Sequence, residues 1–269
     1  MPMASLDNAI AGMQQPRYFA KGVSSVPVIG RPHSTWLLQG IPSAGGNNTS
    51  LAGVHLSSSG GMIVGQLPFK DAVGGANYLA RFVADCSQPG KILLCDRLWS
   101  NGGFTSVTSI QMVGNTPWYP RDNNGQSDGE GVYLALEYNF TAAGNTPTVS
   151  ATYTNSAGVG GRIASTLIPI TANATAQGFY PMSLANGDVG VKDVTFVTFS
   201  LAPTAGGCNL VAYRVLASLE IPGPYQASAI DLVTGGMAKM WNGTVPFLVF
   251  VPATAQGFYL SGTLTTTQG

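Results

Sequence analysis

An all-β protein, built as a β-sandwich of jelly-roll or related type behind a short N-terminal helix, is the fold class that this sequence predicts. Short runs rich in β-branched and aromatic residues alternate apolar with polar positions, and clusters of Gly, Asn, Asp, Ser and Pro separate them at close intervals. No long stretch of helical periodicity intervenes between those runs. The strands therefore read as neighbours in antiparallel sheets.

The helix comes first. Ser5 is placed to cap it, Asp7 complements its positive end, and Leu6, Ile10 and Met13 recur on one face until Pro16 ends it. Nothing in the local sequence covers that face, which leaves two readings open: packing back on the β domain, or an arm gripping a neighbour. Strands are expected at STWLLQ (Ser34–Gln39), YLARFVADC (Tyr78–Cys86), KILLCDRLW (Lys91–Trp99) and TSVTSIQMV (Thr105–Val113). In GVYLALEY, Val132, Leu134, Leu136 and Tyr138 share one face, with Tyr133, Ala135 and Glu137 on the other. TVSATYT (Thr148–Thr154), VTFVTFSL (Val194–Leu201), NLVAYRVL (Asn209–Leu216) and VPFLVFVP (Val245–Pro252) continue the series. A second short helix is expected around Ala227–Val233, stopped by Gly235 and Gly236. The organisation expected is an N-terminal helical arm over residues 1–22 and one sandwich over 23–269. The turn-rich stretch 114–131 offers the alternative of two sandwiches divided there.

The string ATAQGFY occurs twice, at Ala174–Tyr180 and Ala253–Tyr259, with unrelated flanks. A duplicated module would keep its apolar periodicity beyond the repeat. The string reads instead as a loop, a Gln-Gly turn and the start of a strand whose Phe and Tyr face opposite sides. Two equivalent strand starts in stacked sheets are the expectation.

Only 9% of the residues are charged, against about 25% in an ordinary soluble domain. Twelve basic and twelve acidic groups cancel, which argues against nucleic acid or an anionic membrane as an electrostatic partner. A neutral surface favours association, so the chain is expected to work inside an assembly. No apolar run is long enough for a membrane span, and the first residues lack a secretory pattern, so synthesis in a cytoplasm is expected. The three cysteines, Cys86, Cys95 and Cys208, show no CxxC spacing and read as buried free thiols, with a Cys86–Cys95 pair left open.

Candidate chemistry is sparse. The two histidines, His33 and His55, have no recognisable nucleophile motif beside them. Asp128 and Glu130 are the carboxylate pair that glycoside hydrolysis would use. Asp122, Asn124, Asp128 and Glu130 form a loose calcium-type loop whose EF-hand register fails at Ser127, so a solvated turn is expected. AGVGGR (Ala157–Arg162) lacks the residues of a phosphate or dinucleotide fingerprint and reads as a hairpin turn. No catalytic, cofactor or metal residues are assigned. Trp99, Trp118, Tyr119 and Trp241 are the aromatics that a carbohydrate-binding or adhesin-like sandwich would use. The residues assigned to an interface are Leu6, Ile10, Met13, Trp118 and Tyr119.

LLCDRLWSNGG (Leu93–Gly103), YTNSAGVGGR (Tyr153–Arg162), LANGDVGVKDVTFVTFS (Leu184–Ser200) and NLVAYRVLASLEIP (Asn209–Pro222) together resemble stretches of virion structural proteins of tailed bacteriophages, in a similar order. The resemblance runs from about Ser34 to near the C-terminus and rests on strand and turn motifs. It implies a non-enzymatic virion component of head-associated or capsid decoration type. The implied protein is a homotrimer that binds the major capsid protein or other virion proteins and is located in the virion, with no cofactor. Neck, collar or tail placement is the alternative within the same family. A decoration protein of this kind gains avidity by engaging several subunits at once.

Overall fold

The computed structural model describes residues 5–23, 26–102, 104, 111–112, 118–139, 147–167, 177–200, 207–236 and 238–269. After the helix α1 (Leu6–Ala11) come β1 (Arg17–Val23), β2 (His33–Ser34), β3 (Gly40–Ile41), β4 (Val54–His55), β5 (Asn77–Cys86) and β6 (Gly90–Asn101). The middle of the chain supplies β7 (Gln111–Met112), β8 (Val132–Tyr138), β9 (Val149–Asn155), β10 (Arg162–Thr166), β11 (Phe179–Ser183) and β12 (Val191–Phe199). The rest are β13 (Cys208–Ile221), β14 (Ser228–Asp231), β15 (Lys239–Met240), β16 (Pro246–Pro252) and β17 (Phe258–Gln268).

These strands form two antiparallel sheets, as an all-β sandwich requires. Six strands run β14-β5-β17-β1-β3, with β15 also on β5. Eleven run β2-β16-β6-β13-β8-β11-β10-β9-β12-β7, with β4 also on β6. The long strands β6 and β13 pair along their length and contribute to all three hydrophobic clusters. One half carries Leu98, Trp99, Leu210 and Ala212 into the first core, which is closed by Leu134, Tyr153 and other residues of the same curled sheet. The other half turns Ile92, Leu94, Leu216 and Leu219 onto Phe19, Phe82 and Leu260 of the six-stranded sheet. Every described residue of the first core lies between Leu98 and Ala212, whereas the second core draws on the flanking chain before and after. A third cluster, with Trp36, Cys95, Phe179, Phe247 and Val249, occupies the opposite face of the large sheet. Alternation separates the clusters, since Leu94 and Cys95 are consecutive yet belong to different ones; at the register shift beside Ala212 and Tyr213, Leu98 and Trp99 both enter the first core.

Several expectations are corrected here. Residues 17–22, placed in the helical arm from sequence, belong to β1, which pairs with β17 over its whole length. Ala227–Val233 is no helix. Ser228–Asp231 pairs with Arg81–Ala84 of β5, because an unpaired strand edge outweighs a weak local helix preference. The Asp231 side chain then ends the strand by accepting from the Val233 and Thr234 N–H groups, both at 3.0 Å. Most of STWLLQ beyond Ser34 is loop rather than strand, with Trp36 and Leu38 still buried. The expected strand Thr105–Val113 is represented by Gln111–Met112, and the rest of it lies outside the described residues.

Both copies of the repeat open a strand, one in each sheet. Phe179 and Phe258 begin β11 and β17 and are both buried; Tyr180 is buried on the other face of its sheet, while Tyr259 is exposed. The part of the first copy before Gln177 lies outside the described residues. The cysteines are free and buried, with Cys86 and Cys95 in different clusters. Burial raises the Cys86 thiol to about 11 and Cys208 to about 12.

Candidate interaction surface

Ser5 caps α1 as expected, its hydroxyl accepting from the Asn8 N–H at 3.2 Å. The helix is held down along its small side. Ala9 is buried, and its carbonyl accepts from the Thr267 hydroxyl. Gln268 N–H donates to the Gly12 carbonyl at 3.0 Å and Gln14 N–H to Thr266 at 2.8 Å. A Cβ at Gly12 would overlap the Gln268 carbonyl oxygen, so only glycine permits this approach. The helix thus packs back on β17, and its large apolar side chains face away from it. Leu6 and Ile10 are each 55% exposed and Met13 is 42% exposed. With Ala80, Arg81, Ala229 and Val233 they border an open groove of about 350 Å³ between the helix and the β14 turn. A cluster of exposed apolar side chains on a monomer surface marks a contact site more often than isolated ones do.

The other two residues assigned to the interface part company. Tyr119 is 47% exposed, its ring 5.1 Å from that of His55. Trp118 is 2% exposed, which corrects its placement on a surface. Its indole N–H donates to the Val191 carbonyl at 2.6 Å and its ring lies 5.2 Å from Trp99, so both ring and polar atom are satisfied inside the first core. Of the aromatics weighed for sugar stacking, Trp99 and Trp118 are therefore buried. Trp241 is committed through its N–H to Asp122 at 2.8 Å and carries the Lys239 ammonium 3.9 Å from its ring centre.

Part of the already sparse charge is buried, which sequence reasoning missed. Lys21, Asp96, Arg97, Arg121, Asp122, Glu137 and Arg214 are all buried. Arg97 holds Glu137 through two parallel bonds of 3.0 and 2.7 Å and lies over Trp36 at 4.7 Å. Asp96 accepts from the Val245 N–H at 2.8 Å, with Arg121 at 3.4 Å and Arg214 at 3.7 Å from its other oxygen. Lys21 donates to the carbonyls of Leu38, Pro42 and Ser43 at 3.0, 2.7 and 3.2 Å, fastening that loop to β1. Burial lowers its ammonium to about 8. The signal that could have found these groups is their position, since Asp96, Arg97, Glu137 and Arg214 all interrupt apolar strand runs.

Asp122, Asp128 and His33, among the residues considered for chemistry, are engaged structurally. Asp122 folds its own loop, accepting from the N–H groups of Asn124, Gln126 and Gly129 at 2.9, 2.7 and 3.1 Å. Asp128 pairs with Lys192 at 3.0 Å. Among the described residues no group of three or more His, Cys, Asp or Glu is gathered as a metal site would need. His33 is buried, its Nε2 accepting from the Val28 N–H at 3.2 Å, and burial lowers it to about 4. No helix among the described residues is long and apolar enough to cross a membrane.

Two of the quoted motifs meet at Asp188. Its carboxylate accepts from Arg162 at 2.9 Å, Tyr153 at 2.5 Å and Asn155 at 2.7 Å, so the YTN, GR and NGD segments converge on one carboxylate. The Arg162 bond, then those from Tyr153 and Asn155, hold Asp188 down to about 2, below its usual value of 3.8. A depressed carboxylate stabilises the fold at pH values above its unfolded pKa, and that contribution is lost as pH falls toward the folded value. Urea unfolding of the protein is expected to show a loss of stability between about pH 4 and pH 2 that Asp188→Asn lacks. An unchanged acid limb in the variant would refute the assignment.

No protein-family model matches the chain, and no curated protein matches it. Among solved structures it is weakly similar to the VP2 subviral particle of infectious bursal disease virus, at 9% identity, over 96% of this chain and 81% of that one, with a TM-score of 0.20. T=1 particles derived from the same virus give 9% identity, 96% and 79% coverage and a TM-score of 0.20. Scores at that level do not establish a shared fold.

Proposed function

We propose that this chain is a non-enzymatic virion structural protein of a tailed bacteriophage, acting as a capsid cement or decoration protein on the head shell. The observation that supports it most is the outward face of α1. A helix fixed to the sheet through Ala9 and Gly12 presents Leu6, Ile10 and Met13 to solvent, on a chain with zero net charge. Such a surface recognises by shape and apolar contact, with little dependence on salt. The sequence resemblance supplies the setting, and two of its motifs meet at Asp188. In this reading the partner is the major capsid protein or another virion protein, and the working form is a homotrimer that gains strength from multivalent contact. Neck, collar or tail placement is the alternative.

Mass spectrometry of purified virions from the source tests the reading. Copies comparable in number to the major capsid protein support head decoration, a handful per particle supports neck or tail, and none ends the proposal. Ile10→Asp is expected to stay folded, at a cost of about 1 kcal/mol or less, because the side chain it replaces is more than half exposed. Its incorporation into particles is expected to be lost. Incorporation at the parental level would remove α1 from the contact surface.

A further inference from the structure

The chain contains four Asn-Gly pairs, Asn101-Gly102, Asn124-Gly125, Asn186-Gly187 and Asn242-Gly243. Such pairs can deamidate, because glycine leaves its backbone nitrogen unshielded beside the asparagine side chain. Three of them are locked. Gly102 N–H donates to Ser50 at 3.0 Å next to the buried Asn101, and Gly125 N–H donates to Asp122 at 3.1 Å. Gly243 N–H donates to the Asp71 carboxylate at 2.7 Å, while the Asn242 side chain accepts from Ala72 at 3.1 Å. Asn186-Gly187 differs from them in that its glycine N–H is not held. This pair forms the exposed tip of a turn closed by Asp188 N–H on the Ala185 carbonyl at 3.1 Å, with Gly187 at φ +84°. Among the described residues, neither the Gly187 N–H nor the Asn186 side chain makes a hydrogen bond.

A further feature activates this pair. The Asn186 carbonyl accepts from the Arg162 guanidinium at 3.2 Å. That oxygen takes up the negative charge when the Gly187 N–H ionises, so the cation beside it favours the nucleophilic form. We propose that Asn186 is a self-modification site of the folded protein. The Gly187 nitrogen bonds to the Asn186 side-chain carbon, the bond from that carbon to Nδ2 breaks, and ammonia leaves with the proton lost from Gly187. Water then opens the resulting succinimide at either carbonyl, giving aspartate or isoaspartate. Either product adds a negative charge to a chain that starts with none in balance. Isoaspartate also lengthens the main chain in the turn that aims Asp188 at Arg162, Tyr153 and Asn155.

The test is incubation of the folded full chain at mildly alkaline pH, followed by tryptic digestion and tandem mass spectrometry of the Ile163–Lys192 peptide. A parallel sample is unfolded in urea. In the folded sample Asn186 is expected to convert about tenfold or more faster than Asn101, Asn124 or Asn242, the factor that one hydrogen bond to a charged group is worth. In urea the four rates should approach one another. A folded chain in which Asn186 is no faster than the other three, or in which it converts only after unfolding, overturns the proposal.

Discussion

Replacing Glu137 with leucine is expected to cost about 3–5 kcal/mol of stability, because it leaves the Arg97 guanidinium buried without its countercharge. The loss is the penalty of an orphaned ion and not the net worth of the pair. The double variant Arg97→Met, Glu137→Leu should therefore recover most of it. Methionine can keep part of the packing that Arg97 makes on Trp36 at 4.7 Å and Phe247 at 5.7 Å. Urea midpoints of the two singles and the double give the coupling directly. If Glu137→Leu alone unfolds near the parental midpoint, Arg97 has access to water or another partner, and the pair is not the closed unit that the geometry shows.

Trp118→Ala and Tyr119→Ala should separate sharply despite being adjacent. The first removes a fully enclosed indole, its contact with Trp99 and its bond to Val191, with an expected cost of about 3–5 kcal/mol. The second removes a half-exposed ring packed on His55 and should cost about 0.5 kcal/mol or less. Thermal or urea unfolding of both checks the pair. Equal costs would mean that Trp118 is not a core residue.

The strands were legible where alternation was strong. Lys91–Trp99 lies inside β6 and Val132–Tyr138 is β8, because each presents side chains to both covered faces of a sheet. The helix was legible too, but not its orientation. Periodicity locates the apolar stripe of Leu6, Ile10 and Met13, whereas the docking side was chosen by the small residues Ala9 and Gly12, which let the backbone approach β17. Ala227–Val233 misled because its strand character is lent by β5, far away in sequence. Trp118 was misread for a related reason: its partners, Trp99 and Val191, are distant in the chain, and residue type alone does not distinguish a core indole from a contact residue. The buried charges were hidden in the same way. Arg97 stands as a charge interrupting an apolar run until Glu137 is brought beside it across β13.

The position of β17 bears on how the polypeptide is made. It fills the gap between β5 and β1, so the middle of the six-stranded sheet consists of residues 258–268. While the nascent chain is still on the ribosome, β1 and β5 wait with open edges for a neighbour that is translated long after them. Among the described residues the first core draws on nothing beyond Ala212, so it can settle earlier. That core can thus form before the six-stranded sheet closes, and the interval between them is when stray pairing with another nascent copy is most dangerous.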